Sequence, residues 1–342
     1  MPRYADLVRT ALAPANVDRV RIALPLGVSS VFGARIGTWI QHAWRMSVAR
    51  FALAGREADV YHILDGSCAY VGQWISPRRC VITCHDMIPQ LQAEGSIPGR
   101  EPSPAALWVM KKSVCVLSRA GHVITDSENT RQDAIRLAGV KQDRATVVPL
   151  ALTREWCSVG EIVRDPAESP LILHIGNSAS YKNRQGVLRI FRRIQEKVPA
   201  KLLMVGPDDK GLRQSARTLG IGQVVEWREN VTDSELKGLY GSAALLLFPS
   251  LYEGFGWPVL EAMACGCPVV CSHAASLPEV AGGAALMADP SDEAGLAAHC
   301  IEMLTRKETW ERYCRSGLER ASGFSIERMV EGLRKAYAAC GS

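Results

Sequence analysis

The sequence predicts an α/β protein with two domains, each built on a sheet of parallel strands covered by helices. Its 342 residues exceed the usual size of one domain. Between Ala243 and Asp289, apolar runs alternate with amphipathic segments, and a second strand–turn–helix pattern begins at Leu171. This alternation is typical of parallel sheets, because successive parallel strands need a crossover connection. Hydrophobic residues make up 47% of the chain, enough for a core in each domain.

The first half alternates between the two periodicities from its beginning. We predict strands at 20–24, 60–64, 81–84, 122–125 and 146–149, and helices at 4–12, 38–53, 105–118 and 128–137. Two strands end in a histidine and an aspartate: His62 and Asp65 at the first end, His85 and Asp86 at the second. Ligands gather at the carboxyl ends of strands in open α/β sheets, so both pairs are candidates for a binding site. For His62 and Asp65, hydrogen bonding within the turn is an equally good interpretation.

A linker is predicted at residues 153–170, where periodicity is weak, and the second half follows it. We predict strands at 171–175, 201–205, 224–227, 244–248, 268–271 and 284–287, and helices at 187–197, 234–242, 258–265, 277–280, 292–305, 307–321 and 325–339. The turn after the first of these strands contains Asn177, Lys182 and Arg184. A small-residue turn with cations before a helix suits a phosphate, although the spacing is not that of a P-loop.

A glycine-rich turn, Glu253-Gly-Phe-Gly-Trp257, joins the strand at 244–248 to a helix that begins near Pro258. The positive end of a helix beside a flexible turn also suits a phosphate. Carboxylates accept hydrogen bonds from hydroxyls, so Glu253 and Glu261 are suited to the diols of a sugar and a ribose. A phosphate between two such carboxylates describes a nucleotide sugar. An ordinary strand–turn–helix with exposed glutamates is the alternative.

The segment Glu253-Gly-Phe-Gly-Trp-Pro-Val-Leu-Glu261, continued by Ala-Met-Ala-Cys-Gly-Cys-Pro-Val-Val, resembles the donor-binding segment of glycosyltransferase family 4, the glycosyl transferases group 1. The resemblance implies the GT-B fold, in which two Rossmann-like domains face each other across a cleft. We expect an acceptor-side domain at 1–155, a donor domain at 156–324, and a helix at 325–342 that crosses back to the first domain. The usual first strand and glycine loop are not recognisable, which is expected either from a late start of the sequence or from a shortened N-terminal domain.

The resemblance implies a retaining glycosyltransferase that moves a sugar from a nucleotide sugar to a hydroxyl of a glycan or lipid-linked acceptor. The His-Asp and Tyr-Lys-Asn-Arg variants are similar to bacterial enzymes of cell-surface polysaccharide synthesis, and GDP-mannose is favoured over UDP sugars. Family members often place an arginine where Asn177 stands, and Arg184 is the alternative cation. The implied site residues are His85, Lys182 and Glu253 for catalysis, Asn177, Arg184, Gly254, Phe255, Gly256, Trp257, Val259 and Glu261 for the donor, and His62, Asp65 and Asp86 for the acceptor side.

The residues also exclude or favour other functions. No Asp-x-Asp pair occurs, which argues against metal-dependent single-domain glycosyltransferases, and we expect no metal and no cofactor beyond the donor. No G-x-G-x-x-G follows an early strand, which argues against a dehydrogenase. A sugar-nucleotide epimerase of the same fold and a catalytically silent nucleotide-binding protein stay open as alternatives.

Charge and apolar patterning bear on the location of the protein. Residues 1–160 carry a surplus of six basic residues, whereas the rest of the chain is close to neutral. The predicted helix at 105–118 carries Trp108, Lys111 and Lys112, which suits contact with an anionic membrane surface; an ordinary surface helix with one buried face is the alternative. No apolar run is long enough to span a bilayer, and no secretory pattern begins the chain. We expect a cytoplasmic protein with peripheral contact at the inner face of the membrane, reduced cysteines, and no nucleic-acid partner.

Overall fold

The computed structural model describes residues 2–12, 33–99, 101–156 and 170–340. The chain divides into two compact units. The first unit comprises Met1–Ser96, Arg100–Ala151 and Ile326–Ser342, and the second comprises Ile97–Gly99 and Leu152–Ser325. The limits at 151 and 325 compare with the domain limits at 155 and 324 expected from the sequence. The helix Ile326–Ala339, the last in the chain, belongs to the first unit.

The described part of the first unit contains a parallel sheet of four strands in the order β1-β2-β3-β4. The strands are β1 Tyr61–Ile63, β2 Cys80–Cys84, β3 His122–Thr125 and β4 Ala145–Val147. The α-helices are Pro2–Ala11, Gly33–Leu53, Ile88–Ala93, Pro104–Leu117, Glu128–Ala138 and Ile326–Ala339. The strand expected at 20–24 lies outside the described residues, and so does the place of a first strand and glycine loop.

Local sequence explains most of these elements. Every residue of β2 and β3 is buried, as expected for strands covered on both faces. The helix Glu128–Ala138 begins at Ser127, whose hydroxyl accepts from the Thr130 N–H, and ends at Gly139 in the left-handed region. Two short elements carry no strong signal and were not expected: the 3-10 helix Gly66–Trp74 and the helix Ile88–Ala93.

The second unit contains a parallel sheet of six strands in the order β10-β9-β8-β5-β6-β7. The strands are β5 Leu171–Ile175, β6 Lys201–Val205, β7 Val225–Arg228, β8 Leu245–Phe248, β9 Val269–Ser272 and β10 Ala285–Ala288. The helices are Arg184–Gln195, Lys210–Thr218, Asp233–Ser242, Trp257–Ala264, Leu277–Ala281, Glu293–Thr305 and Lys307–Ser322. A core of aliphatic side chains fills the space between this sheet and its helices.

The strand order of the second unit reverses at one place. The chain runs outward from β5 to β6 and β7, and then returns so that β8 pairs with β5 on its other side. Ligands of open α/β sheets bind outside the carboxyl ends of the strands at such a switch point. The loops that follow β5 and β8 are therefore the positions where the fold places a binding site.

Among the described residues, the cysteines form no disulfides and no helix is suited to span a membrane. All ten cysteines described are free thiols. Burial raises the pKa of Cys80 and of Cys271 to about 12, which keeps these thiols protonated and unreactive at neutral pH. Among the described helices, none combines the length and the apolar character that a bilayer-spanning segment requires.

Candidate active site

The switch point of the second unit brings together a cation and a carboxylate. Lys182 lies in the loop after β5 and Glu253 in the loop after β8. The Lys182 Nζ donates to both carboxylate oxygens of Glu253, at 2.7 and 2.8 Å. The two side chains are 14% and 9% exposed, so the pair is largely withdrawn from water. This arrangement places a positive and a negative group, both able to bind a polar ligand, at one spot on the sheet edge.

The glycine turn is held in place by a serine that the sequence analysis did not single out. Ser276 is fully buried, and its hydroxyl lies 2.9 Å from the carbonyl oxygen of Glu253 and 2.8 Å from that of Phe255, to which it donates. Gly256 begins the helix Trp257–Ala264 with a φ of 109°, in the region that favours glycine. A Cβ there would lie 2.7 Å from the Leu277 side chain. The turn that carries Glu253 is therefore rigidly built.

Other predicted donor residues have different surroundings. Val259 is fully buried, and its N–H donates to Gly256, so its side chain lies in the core rather than at the site. Glu261 is 4% exposed, and its Oε2 accepts from the Tyr240 hydroxyl at 3.0 Å. Asn177 is exposed, and its Oδ1 accepts from the Ala179 N–H, which shapes the turn. The remaining members of the turn are Gly254 and Phe255, both buried, and Trp257, which is partly buried.

Arg184 turns to a different part of the sheet edge from Lys182. Its Nη1 donates to the carbonyl of Pro207, just beyond β6. The guanidinium is buried, and its Nε and Nη2 have no hydrogen-bond partner among the described residues. Burial lowers the pKa of Arg184, while Asp209, Asp208 and Glu229 oppose that shift. The sequence places these two cations in one turn. In the structure, Lys182 lies at the carboxyl ends of β5 and β8, whereas Arg184 lies at those of β6 and β7.

A cavity of about 890 Å³ lies within the first unit, at the carboxyl ends of β1 and β2. Asp65, His85 and Asp86 are in its wall, together with apolar side chains of the helix Pro104–Leu117. The Asp65 carboxylate also accepts from the Ser67 N–H, and the Asp86 carboxylate from the Ile88 N–H. Burial raises the pKa of Asp86. The cavity therefore offers carboxylates and a histidine beside an apolar surface, which is a suitable lining for a sugar.

His85 is fixed by two hydrogen-bond acceptors. Its Nδ1 lies 2.6 Å from the Oδ2 of Asp126, and its Nε2 lies 3.0 Å from the carbonyl oxygen of Leu64. The edge of the Tyr4 ring packs at right angles to the imidazole, with centroids 4.6 Å apart. Burial alone would lower the pKa of His85, but the Asp126 carboxylate and the Leu64 carbonyl raise it to about 9.

His62 does not share this position. Its Nδ1 lies 2.8 Å from the Tyr337 hydroxyl and its Nε2 lies 2.7 Å from the Thr83 hydroxyl, which also bonds the Tyr4 hydroxyl. Burial lowers the pKa of His62 to about 3, so the ring is neutral. Of the two interpretations left open by the sequence, hydrogen bonding within the protein describes His62, whereas Asp65 both caps a turn and lines the cavity.

Comparison with known proteins places this geometry in a family. The profile Glycosyl transferases group 1 matches residues 161–320, and the profile Glycosyltransferase Family 4 matches residues 9–155. The chain is 32% identical to O-antigen chain mannosyltransferase B of Escherichia coli, over 76% of this chain and 70% of that protein. The chain belongs to glycosyltransferase family 4. It is also 36% identical to the MMP α-(1→4)-mannosyltransferase of Mycolicibacterium hassiacum, over 79% of this chain and 68% of that one.

Solved structures show the fold of this family 4 member. A sucrose-phosphate synthase from Thermosynechococcus elongatus superposes with a TM-score of 0.77 at 20% identity, covering 92% of this chain and 81% of that one. The fold is GT-B, with a parallel sheet in each of the two units. Because it belongs to family 4, the chain is a glycosyltransferase, as the resemblance of its glycine turn implied.

Three residues of the candidate site, Asp126, Ser276 and Tyr240, were not identified from the sequence. Asp126 follows β3 as His85 follows β2, and these two strands are neighbours. That adjacency was a usable signal, but the Asp-Ser pair was interpreted only as the start of a helix. Ser276 and Tyr240 carry no motif of their own, and only the three-dimensional structure connects them with Glu253 and Glu261.

Proposed function

We propose that the chain is a retaining, metal-independent mannosyltransferase that moves mannose from GDP-mannose to a hydroxyl of a glycan or lipid-linked acceptor in the synthesis of O-antigen or a related surface polysaccharide. The observation that carries the proposal is the meeting of Lys182 and Glu253 at the switch point of the second sheet. The relatives named as mannosyltransferases support the choice of sugar.

The donor diphosphate would take over the contacts of Lys182. In the structure, the ammonium is bound by a carboxylate that it can exchange for phosphate oxygens. Glu253 would then be free to accept hydrogen bonds from the sugar hydroxyls. As the sugar leaves, it becomes cationic and the diphosphate becomes more anionic, so a preorganised cation at the leaving group lowers the barrier. Lys182 supplies that charge without a metal.

The base of the donor would lie near the ends of β6 and β7. Arg184 has two nitrogens without partners there, and the carboxylates of Asp208 and Glu229 are close enough to affect its charge. Guanine presents two adjacent acceptors, O6 and N7, on one edge, and N–H donors beside them. A guanidinium with neighbouring carboxylates matches that pattern better than it matches uracil. This supports a GDP sugar as the donor.

The acceptor would bind the cavity of the first unit. Asp65 and Asp86 can accept hydrogen bonds from sugar hydroxyls, while the apolar wall can pack against the less polar face of a sugar ring. His85, in the same wall, would donate to an oxygen of the bound sugar. The donor would thus be held by the second unit and the acceptor by the first.

The first unit would also contact the inner face of the cytoplasmic membrane. Among the described side chains, the large apolar ones that are exposed all belong to this unit: Trp44, Phe51, Trp74, Leu107 and Trp108. Arg50 lies over the ring of Phe51, and Lys112 over that of Trp108. Aromatic rings next to cations suit the headgroup region of an anionic bilayer. A peripheral position would give access to a lipid-linked acceptor.

A donor panel tests this function. The purified chain is incubated with GDP-mannose, other GDP sugars, UDP sugars and TDP sugars, with and without mannoside acceptors, and with EDTA throughout. We expect transfer from GDP-mannose with retained anomeric configuration, measured by NMR of the product. Transfer from a UDP sugar alone would refute the choice of base. Thermal stabilisation by GDP without any transfer or hydrolysis would instead indicate a silent nucleotide-binding protein.

A further inference from the structure

His85 of the first unit faces an acceptor at each ring nitrogen. The Asp126 carboxylate lies 2.6 Å from Nδ1, and the Leu64 carbonyl lies 3.0 Å from Nε2. Neither acceptor carries a proton to donate when Asp126 is ionised. A neutral imidazole has one N–H, so one of its nitrogens would direct a lone pair at an oxygen. Only the doubly protonated ring satisfies both contacts.

Asp126 depends on this ring in turn. The side chain is 2% exposed, and its Oδ1 has no hydrogen-bond partner among the described residues. A buried carboxylate with so few donors is costly unless a cation compensates it. His85 is the cation in contact with it. The contact with Asp126 therefore favours the charged form of His85.

The neighbours of the pair do not replace Asp126. Asp65 and Asp86 are the other carboxylates facing the ring, and neither is hydrogen-bonded to it: Asp65 accepts from the Ser67 N–H and Asp86 from the Ile88 N–H. His62 is neutral and adds no charge. Tyr4 presents its ring edge, and its hydroxyl is bonded to Thr83. Among the neighbouring carboxylates, only Asp126 contacts the ring, and together with the Leu64 carbonyl it fixes the ring orientation and the second proton.

We infer that Asp126 is a positioning residue that keeps His85 as an imidazolium, with fixed ring orientation, in the wall of the first unit's cavity. A permanently protonated ring cannot serve as a general base. Its Nε2–H can pass from the Leu64 carbonyl to an oxygen of a bound ligand. His85 therefore acts as a cationic hydrogen-bond donor, which either stabilises negative charge that develops in the reaction or binds a sugar hydroxyl. The kinetic consequence rests on the proposed function, whereas the charge state of the ring does not.

The ring charge is measured directly by ¹⁵N NMR of histidine-labelled protein, with His85→Gln used to assign the signal. At pH 7.5 we expect both ring nitrogens of wild-type His85 to show imidazolium shifts, which disappear as the pH passes about 9. In Asp126→Asn, the side-chain amide can donate to Nδ1, so the ring should be neutral at pH 7.5. In Asp65→Asn, the matched carboxylate that does not touch the ring, the imidazolium signal should persist. A neutral His85 in the wild type would overturn the inference, even if Asp126→Asn fails to fold.

The second readout is the pH profile of kcat/KM for sugar transfer. Wild-type activity should hold between pH 6.5 and pH 8 and fall as the pH passes about 9. Asp126→Asn should lose at least tenfold at pH 8 and regain activity below pH 6, where the ring takes up its second proton again. An unchanged profile in Asp126→Asn would refute the positioning role. Absence of transfer by the wild type from every donor would refute the proposed function, and the NMR result would still decide the charge of His85.

Discussion

Replacing Lys182 by methionine separates the two roles of the buried pair in the second unit. The substitution keeps the length of the side chain and removes the charge that contacts both oxygens of Glu253 at 2.7 and 2.8 Å. Breaking a buried ion pair from one side costs about 3–5 kcal/mol, because the remaining charge is uncompensated. Both side chains keep a small exposed fraction, so we expect about 3 kcal/mol, measured as the free energy of unfolding in urea.

The same substitution removes the proposed cation at the leaving diphosphate. Loss of one preorganised donor to a developing anion lowers kcat by about 10²–10³-fold. Transfer from GDP-mannose, assayed at a temperature where the variant is folded, should fall by that factor. Circular dichroism at the assay temperature would show that the variant is folded and that the loss concerns donor binding or chemistry.

A double variant provides the control. Lys182→Met combined with Glu253→Gln removes both charges, so most of the lost stability should return while activity stays low. If the single variant unfolds within 0.5 kcal/mol of the wild type and transfers sugar within threefold of its rate, the pair is neither buried nor catalytic, and the reasoning fails.

Three further expectations follow from the described contacts. Ser276→Ala removes the hydroxyl that contacts the turn carbonyls, and we expect the free energy of unfolding to fall by about 1–3 kcal/mol and the KM for the donor to rise. An unchanged KM would contradict the role given to that turn. Burial lowers the pKa of His62 and of His174 to about 3, so below pH 6.5 the unfolded chain binds protons at these histidines that the folded chain does not bind. The free energy of unfolding should therefore fall between pH 6.5 and pH 3. His62→Gln should make the urea midpoint less dependent on pH over that range. Trp108→Ala should weaken co-sedimentation with phosphatidylserine vesicles severalfold at low salt. Trp310→Ala, at a buried position, serves only as a folding control. Equal sedimentation of Trp108→Ala and the wild type would argue against the membrane surface.

Much of the fold was predictable from local sequence because parallel strands buried on both faces appear as short continuous apolar runs. In the second unit, β5 and β6 have the bounds expected from the sequence, β8 begins one residue later than expected, and β9 is shifted by one residue at both ends. Glycine and proline mark the turns between them. The strand–turn–helix pattern also predicted the positions of Lys182 and Glu253. Lys182 follows β5 and Glu253 follows β8, and these two strands pair with each other.

What the sequence could not supply are partners that are distant along the chain. Whether His62 is buried depends on Tyr337, 275 residues away, and no spacing rule connects them. Glu261 looks like an exposed helical carboxylate until Tyr240 is seen to donate to it. The burial of Val259 could have been predicted, because its helix is apolar apart from Glu261. The position of Arg184 depends on the loop after β6, whose path is set by packing rather than by local sequence.

The helix Ile326–Ala339 has a consequence for the order in which this enzyme is made. It follows the second unit in the sequence, yet it supplies Tyr337 to His62 and brings Gly332 against Val148, all in the first unit. On the ribosome, nearly all of the second unit emerges before that helix does. The part of the first unit's sheet that this helix covers, at β3 and β4, can therefore be completed only after the second unit has been synthesised.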